Sequence, residues 1–487
     1  MSSSTYELGV VGLGVMGRNL LLNMGDHGYS VAGFDLDAGK AESLKKEAGS
    51  RKIFATSDLK EFIGALKSPR AILMMVPAGA PVDAVIRDVL PHLSEDDLLI
   101  DGGNSFFKDT NLREKMLSEK KIFFVGMGVS GGESGARHGP SLMPGGNKDA
   151  YDRIHPVLEA ISAKVNGDAC VAYLGPSSAG HYVKIVHNGI EYGLIQLLAE
   201  AYDLMHRGLG LSNEELKKTF EEWDRGELKS YLVEITASIF GQIDDESGKH
   251  VIDLILDTSK QKGTGMWTAE SAMEMHVPTP TIDTSVVWRN LSSLKGERQA
   301  ASQLLPVSTP TFSGDKRAFL ESIRNAVYAG TIITFAQGIA LLRMASKTYD
   351  YQLNLETVAR IWRGGCIIRA AVLEKIRNAF GKQPDLANLM VDPDLAKELL
   401  ARQQDLRSVV RAAAEMGIPA AAFMTALSYF DGYRTARLPS NLTQAQRDYF
   451  GAHTYERTDA KGVFHTHWGS VENVPQPALA GKERQTL

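Results

Sequence analysis

The chain has 487 residues, 44% of them apolar and 23% charged, with a formal net charge of −5. That length exceeds one ordinary hydrophobic core and implies two or three domains. The small charge gives no global support for binding nucleic acid or a membrane surface.

Two distant cysteines, Cys170 and Cys366, form no readable disulfide framework and suit a reducing cytoplasm. No cleavable apolar leader and no run of about eighteen apolar residues is read, so a cytoplasmic chain without membrane spans is expected.

Glu7–Val11 reads as a short buried strand, and Gly12-Leu13-Gly14-Val15-Met16-Gly17 follows at once. A helix pattern then runs to about Gly28, and a second apolar strand, Tyr29–Phe34, delivers Asp35 at its carboxyl end. Strand, glycines, helix, strand and acid in that order predict a dinucleotide site. The glycines let main-chain amides approach a pyrophosphate at the positive end of the helix. Ala71–Val76, Leu98–Asp101 and Ile122–Val125 continue the strand pattern with helical stretches between them. A doubly wound, Rossmann-type parallel sheet is predicted, with ligands beyond the carboxyl ends of its strands. Those ends carry Val76-Pro77-Ala78, Gly102-Gly103-Asn104-Ser105 and Gly128-Val129-Ser130-Gly131-Gly132. The last holds a Ser and two glycines whose free amides suit a carboxylate, a plain loop being the alternative.

After about residue 178 strand signals fade and long helical runs dominate. Residues 183–205 can be laid over 320–342, with Asn188 meeting Asn325, and Trp223-Asp-Arg-Gly226 resembles Trp362-Arg-Gly-Gly365. An internally duplicated all-helical domain is predicted. Within its first copy, Lys184, His187, Asn188 and Glu191 fall at i, i+3, i+4 and i+7, on one helix face. A salt-bridged surface is the plain alternative. Apolar Val183, Ile185, Val186 and Ile190 leave little solvent face, so the wall of an active site fits better. The second copy has Glu321, Arg324 and Tyr328 at the positions of Lys184, His187 and Glu191. The Lys/His/Glu set therefore belongs to one copy only.

From about Leu438 the chain turns polar, yet Tyr449, Phe450, Tyr455 and Trp468 are too many aromatics for a solvated tail. A segment that docks on a partner subunit is expected. His465 and His467 find no further ligands, and no metal is expected. The domains are set at 1–178 (dinucleotide-binding), 179–437 (duplicated, helical) and 438–487 (tail).

On these residues the chain resembles the 6-phosphogluconate dehydrogenase family over essentially its full length. The matching segments are GLGVMG at 12–17, IDGGNS at 100–105, GVSGGESGARHGPSLMPGG at 128–146, GHYVKIVHNGIEY at 180–192, QKGTG at 261–265 and QAQRDYFGAHTYE at 444–456. The resemblance implies oxidative decarboxylation of 6-phospho-D-gluconate to ribulose 5-phosphate and carbon dioxide in the pentose phosphate pathway, by a homodimer whose tails are exchanged. It implies that Lys184 is the general base at the C3 hydroxyl during oxidation and that Glu191 protonates C1 after carbon dioxide leaves. Ser130, Gly131, Gly132, His187 and Asn188 would hold the sugar acid, with Asn104 between coenzyme and substrate. Tyr192, Lys262, Thr264 and Arg289, with Arg447 and His453 from the partner chain, would complete the site. Gly12 to Gly17, Asp35 to Asp37 and Val76 to Ala78 would hold the coenzyme.

One departure from the family matters. Its usual Asn-Arg-Thr after the second strand is Asp35-Leu36-Asp37 here, and Pro77 replaces a common Lys. A carboxylate there suits the ribose hydroxyls of NAD and repels the 2′-phosphate of NADP, so NAD is expected against the family habit. Lys40 is expected to be a solvated residue at a helix start. The runner-up reading is a non-decarboxylating 3-hydroxy acid dehydrogenase, which shares the spacing Gly175 to Asn188. An idle NAD-binding scaffold would predict loss of Lys184 or Glu191, and both are present.

Overall fold

The computed structural model describes residues 5–306 and 312–469. Its sheet contains β1 (Leu8–Val11), β2 (Val31–Phe34), β3 (Ile53–Thr56), β4 (Ala71–Met74), β5 (Leu98–Asp101), β6 (Phe123–Ser130) and β7 (Ser141–Gly146). The strand order is β3-β2-β1-β4-β5-β6-β7. Neighbours are parallel except for the final β6/β7 pair. Strands β1, β2, β4 and β5 are buried along their whole length, because helices cover both faces of the sheet. Alternate residues feed two separate cores. Val10, Val31 and Leu73 pack against α1 (Val15–Asp26), α2 (Ala38–Ala48), α6 (Gly132–His138) and α7 (Lys148–Ile161). Val11, Ile72 and Leu99 pack against α3 (Leu59–Ala65), α4 (Ala80–Val89) and the end of α5 (Phe107–Ser118).

Two strands go beyond the sequence reading. β3 is only half-buried at Ile53 and Phe54, unlike the fully buried strands of the same length, and antiparallel β7 contains Pro144 and two glycines with no alternation, so β7 carries no legible strand pattern. β6 also runs further than expected. Gly128, Val129 and Ser130 are strand residues paired with Met143, Leu142 and Ser141, so the reading of Ser130, Gly131 and Gly132 as a loop with free amides is corrected at Ser130. Only the turn at Gly131 and Gly132 leaves the ladder. Gly131 has φ 114° and lies where a Cβ would meet Gly365 O at 2.6 Å.

A small hairpin, β8 (Lys164–Val165) and β9 (Asp168–Ala169), precedes the helical part. The helices are α8 (Ala179–Asp203), α9 (Asn213–Asp224), α10 (Tyr231–Gly241), α11 (Val251–Leu254), α12 (Thr264–Glu274), α13 (Pro280–Ser293) and α14 (Lys295–Leu304). They continue as α15 (Lys316–Thr348), α16 (Leu355–Ile361), α17 (Val372–Lys382), α18 (Pro393–Met416) and α19 (Ala421–Tyr433). α8 and α15 start at Ala179 and Lys316, the same separation that relates Asn188 to Asn325. Trp223 is the last but one residue of α9 and Trp362 follows α16, both buried, and α10 and α17 are each 11 residues long. The duplication is therefore a repeated three-helix unit. Its two long helices approach closely at Gly338, where a Cβ would lie 2.4 Å from Ile190 Cγ1.

α15 is long and apolar enough to cross a membrane by length and composition, which the sequence reading did not register. Its apolar window is 83% buried inside the fold, as befits a core helix.

The chain up to Tyr429 forms one compact unit, and a second begins at Phe430. The second unit contains α20 (Ser440–Gly451) and the hairpin β10 (Tyr455–Glu456) and β11 (Val463–Phe464). Buried Asp448 organises it by accepting hydrogen bonds from Thr454 N (2.9 Å), Thr466 N (3.1 Å), Trp468 Nε1 (2.9 Å) and His465 Nδ1 (2.9 Å). Burial raises its pKa, but these donors outweigh burial and hold the carboxyl far below the usual carboxylate range. Of the expected tail, residues 470–487 lie outside the described residues.

Candidate active site

α8 is the wall on which the site is built. Its first half is buried on all sides, and Lys184, His187 and Asn188 are buried with it at 5%, 0% and 7% exposure. The salt-bridged surface face is thereby ruled out. Each neighbour leaves room for this helix. Gly128 of β6 faces the Lys184 stem, and a Cβ at Gly189 would lie 2.5 Å from Thr268 Cγ2 of α12. Thr268 also donates its hydroxyl to Ile185 O at 2.6 Å, which pins α12 to α8. His181, one turn before Lys184, donates Nε2–H to Asp101 O (3.0 Å) and accepts from Thr110 Oγ1 (2.7 Å) through Nδ1. A carbonyl can only accept, so these partners fix the neutral tautomer. They tie α8 to the carboxyl end of β5.

A cavity of about 430 Å³ opens beside α8. Its lining brings together Lys184, Asn188, Glu191 and Tyr192 from α8, Ser130, Gly131 and Gly132 from the β6 turn, Asn104 from the loop after β5 and Met16 from the first turn of α1. Lys262, Thr264 and Arg289 close the far side. Lys260 and Ile367, which sequence reasoning did not single out, also line it, with Val129 at the end of β6 and Gln261 of the QKGTG segment, to which no role of their own was given. Lys260 directly precedes the QKGTG segment and reads as an ordinary loop residue.

His187 is not at the cavity surface. It lies behind Ser130, edge-on to Trp362 with ring centroids 5.7 Å apart. Its Nδ1–H donates to Asn188 Oδ1 (3.0 Å), so Nε2 accepts from Ser130 Oγ (3.3 Å). Burial, reinforced by Lys184, pushes the His187 pKa well below its ordinary value and keeps the ring neutral. The network orients the Ser130 hydroxyl and the Asn188 amide as a pair. Arg289 lies across the Tyr192 ring with its guanidinium carbon 3.3 Å from the centroid, and a Cβ at Gly265 would strike that ring at 2.4 Å.

The electrostatics centre on two groups. Burial pushes the Lys184 pKa down, and Glu191 and Cys366 only partly restore it. Burial pushes the Glu191 pKa up, and Lys184 and Arg289 only partly oppose it. An amine biased toward its neutral form and a carboxyl biased toward its protonated form suit a base and an acid at neutral pH.

The coenzyme crevice lies at the glycines. Gly12 has φ 95°, and a Cβ there would lie 2.5 Å from Met75 O. A Cβ at Gly17 would fall 1.9 Å from Gly12 O, so α1 packs against the turn only because no side chain intervenes. A Cβ at Gly14, which caps α1, would meet nothing within 4 Å, so the space at the helix N-terminus is open, a cradle that fits a pyrophosphate. Leu13 points inward, and its N–H donates to Asp35 Oδ2 at 2.8 Å rather than outward. Asp35 Oδ1 accepts from Asp37 N at 3.0 Å, and Asp37 itself caps α2 through Gly39 N. Burial raises the Asp35 pKa, but the Asp37 and Leu13 amides and Lys40 lower it further, so the carboxylate is charged. Lys40, expected to be merely solvated, stands 3.3 Å from Asp35 Oδ2. Leu36 is exposed, as are Val15 and Pro77, and Val76 and Ala78 are half-buried at the end of β4. Among the described residues no group of three His, Cys, Asp or Glu is arranged to hold a metal. Arg447 and His453 are carried by the second unit, on and just after α20.

A Rossmann sheet with an open glycine cradle, next to a cavity holding a buried amine and acid, defines a nicotinamide-dependent oxidoreductase. Comparison with known proteins gives the family. Residues 7–175 match the NAD binding domain of 6-phosphogluconate dehydrogenase, and residues 180–468 match the C-terminal domain of that enzyme. The chain is 50% identical to the NADP(+)-dependent, decarboxylating 6-phosphogluconate dehydrogenase of Bacillus subtilis, over 96% of this chain and 99% of that protein. It is 52% identical to the decarboxylating enzyme of Synechococcus elongatus, over 95% and 99%. The solved structure of Plasmodium falciparum 6-phosphogluconate dehydrogenase, studied with NADP+ and with 6-phosphogluconate, superposes with a TM-score of 0.92 at 41% identity, covering 95% of this chain and 100% of that one. The chain belongs to the 6-phosphogluconate dehydrogenase family.

Proposed function

We propose that this protein oxidises and decarboxylates 6-phospho-D-gluconate, giving ribulose 5-phosphate and carbon dioxide. The carrying observation is the pair Lys184 and Glu191, both withdrawn from water on one helix face and both open to the cavity that Met16 and Asn104 also line. Gly12, Gly14 and Gly17 would hold the coenzyme pyrophosphate, and Asp35 its adenosine ribose. A bound nicotinamide supplies the electron-pair acceptor for oxidising a carbinol.

Lys184, neutral at the outset, takes the proton of the C3 hydroxyl. As an ammonium it then hydrogen-bonds the resulting ketone, drawing electrons toward that oxygen as the C1 carboxylate departs. Glu191, protonated and two turns along the helix (about 10 Å), delivers a proton to the enediol carbon that lost the carboxylate, which is C2 of the substrate and C1 of the product. Two groups are needed because one proton leaves an oxygen and another arrives at a carbon elsewhere. Ser130, Gly131, Gly132 and Asn188 position the sugar acid, with His187 acting through Ser130 and Asn188. Lys262, Thr264, Tyr192 and Arg289 take its phosphate end, together with Arg447 and His453 from the tail of a partner subunit in a tail-exchanged homodimer. The unpaired cysteines are in keeping with a cytoplasmic location.

NAD is the preferred coenzyme in this reading. The Asp35 carboxylate stands where a 2′-phosphate would bring two further negative charges, and Lys40 alone offsets it.

Assays with 6-phosphogluconate and either coenzyme test the reading, following reduced coenzyme and carbon dioxide together. Stoichiometric release is expected. Oxidation without carbon dioxide would favour the 3-hydroxy acid dehydrogenase alternative. Lys184→Met is expected to fold and bind coenzyme while losing turnover.

A further inference from the structure

We infer that Lys260 is a further specificity-determining residue, one that reads the phosphate of the substrate alongside Lys262 and Arg289; this rests on the proposed activity. Neither the family motifs nor the sequence reading assigns it a role. Lys260 lines the same cavity as Lys184 and Glu191. Among the described residues neither Lys260 nor Lys262 has an ion-pair partner, whereas Asp257 nearby is already taken by Lys295 and Arg298 at the other end of the loop.

The loop is anchored rather than free. Ser259 N donates to Ser292 Oγ at 2.9 Å, Gln261 Nε2 to Asn290 Oδ1 at 2.7 Å, and Arg289 Nη1 to Lys260 O at 3.5 Å. All three contacts run to the C-terminal half of α13, the helix that carries Arg289. Lys260, Lys262 and Arg289 are thus held as one unit. Its cavity offers these cations against the single carboxylate of Glu191, itself biased toward neutrality. Gln261 Oε1, buried without a hydrogen-bond partner, adds an acceptor for a hydroxyl donor on the same wall.

A cluster of this kind complements a dianionic phosphate on a polyhydroxylated chain. The chain as a whole is mildly acidic, so selectivity for a phosphorylated over an unphosphorylated sugar acid must come from local cations such as these.

The test compares Lys260→Gln and Lys260→Arg with the wild type, using 6-phosphogluconate and unphosphorylated D-gluconate as substrates. Lys260→Gln is expected to raise KM for 6-phosphogluconate about 10-fold, in line with one lost charge-assisted contact. Its kcat should stay within about twofold, kcat/KM for gluconate should be unchanged, and Lys260→Arg should restore most of the affinity. Competitive inhibition by inorganic phosphate should weaken in parallel. An unchanged KM, or equal losses on both substrates, would overturn the inference and leave the proposed activity standing. A wild-type protein that does not turn over 6-phosphogluconate would overturn both.

Discussion

Gly128 on β6 and Lys184 on α8 are fitted to one another: a Cβ at position 128 would lie 2.5 Å from Lys184 Cβ and 2.9 Å from its Cγ. Gly128 has no positive φ, so alanine there meets no backbone strain, and its cost falls on the lysine alone. The helix cannot retreat, because Thr268 and Gly338 hold its other sides. Gly128→Ala is therefore expected to swing the amine off line and lower kcat by about 10²-fold, the usual penalty for misplacing a reacting group by an ångström. Coenzyme affinity, measured by direct titration, should not move. A kcat within twofold of wild type would show that the fit is mere packing.

Lys184 and Glu191 also predict the pH profile. Each is shifted by burial in the direction that favours its neutral form, and each is among the electrostatic influences on the other. Such a pair titrates in two macroscopic steps, and the competent state carries one proton between the two groups. Activity should fall at low pH, when both hold a proton and no base remains. It should fall again at high pH, when both are deprotonated and no acid remains. kcat/KM is expected to be bell-shaped, and Glu191→Gln should lose the alkaline limb along with most of its turnover. A profile for Glu191→Gln with the same alkaline limb would assign that limb elsewhere.

The proposed preference for NAD predicts that two positions set coenzyme choice. Asp35 Oδ2 accepts the Leu13 amide at 2.8 Å, a bond that asparagine at 35 can still accept at the glycine turn, while the bond from Asp37 N to the other oxygen is given up. Leu36 is 85% exposed and free to be replaced by a cation. The double variant Asp35→Asn, Leu36→Arg removes one repulsion and adds a phosphate partner. Its ratio of kcat/KM for NADP to that for NAD is expected to rise about 10²-fold, since each charged contact contributes roughly 1.5–3 kcal/mol. Steady-state kinetics with both coenzymes measure the ratio directly. A ratio that stays put would mean that Asp35 does not face the ribose.

Much of this was legible in the sequence because function left periodic traces. The glycine turn, Asp35 and the Lys184–Glu191 stripe all sit at fixed spacings on regular elements. β7 was hidden because its Pro144 and glycines suit close contact with α8 rather than strand propensity: a Cβ at Gly145 would lie 2.3 Å from Gly180 N. Lys260 and Gln261 were hidden because their place in the cavity depends on a loop anchored 29 residues away by Asn290, a tertiary relation with no local signature. The role of His187 behind Ser130 rather than at the surface was equally unreadable, since its partner lies 57 residues upstream.

The duplication itself supplies a last prediction. Glu200 on α8 and Gln337 on α15 occupy the same place in the two copies, and each caps the start of another helix. Gln337 accepts from Thr281 N (3.0 Å) and donates to Thr281 Oγ1 (2.9 Å) at α13, whereas Glu200 accepts from Ala422 N (2.8 Å) and Phe423 N (3.1 Å) at α19. Burial pushes the Glu200 pKa up to about 7, against the lowering effect of these amides and Gln196. The unfolded carboxyl titrates near 4.5, so between pH 4.5 and 7 the folded state holds more protons than the unfolded one. Stability from this group is therefore fully present at lower pH and declines as pH rises through that window, by roughly 3 kcal/mol in all. Glu200→Gln, which copies the neutral cap of the second repeat, has no such titration. Whatever constant offset the amide introduces, the Tm of the variant relative to wild type should climb from pH 5 to pH 8 and then level off. A difference in Tm that stays flat across that range would mean that Glu200 is ionised throughout, with the two α19 amides outweighing its burial.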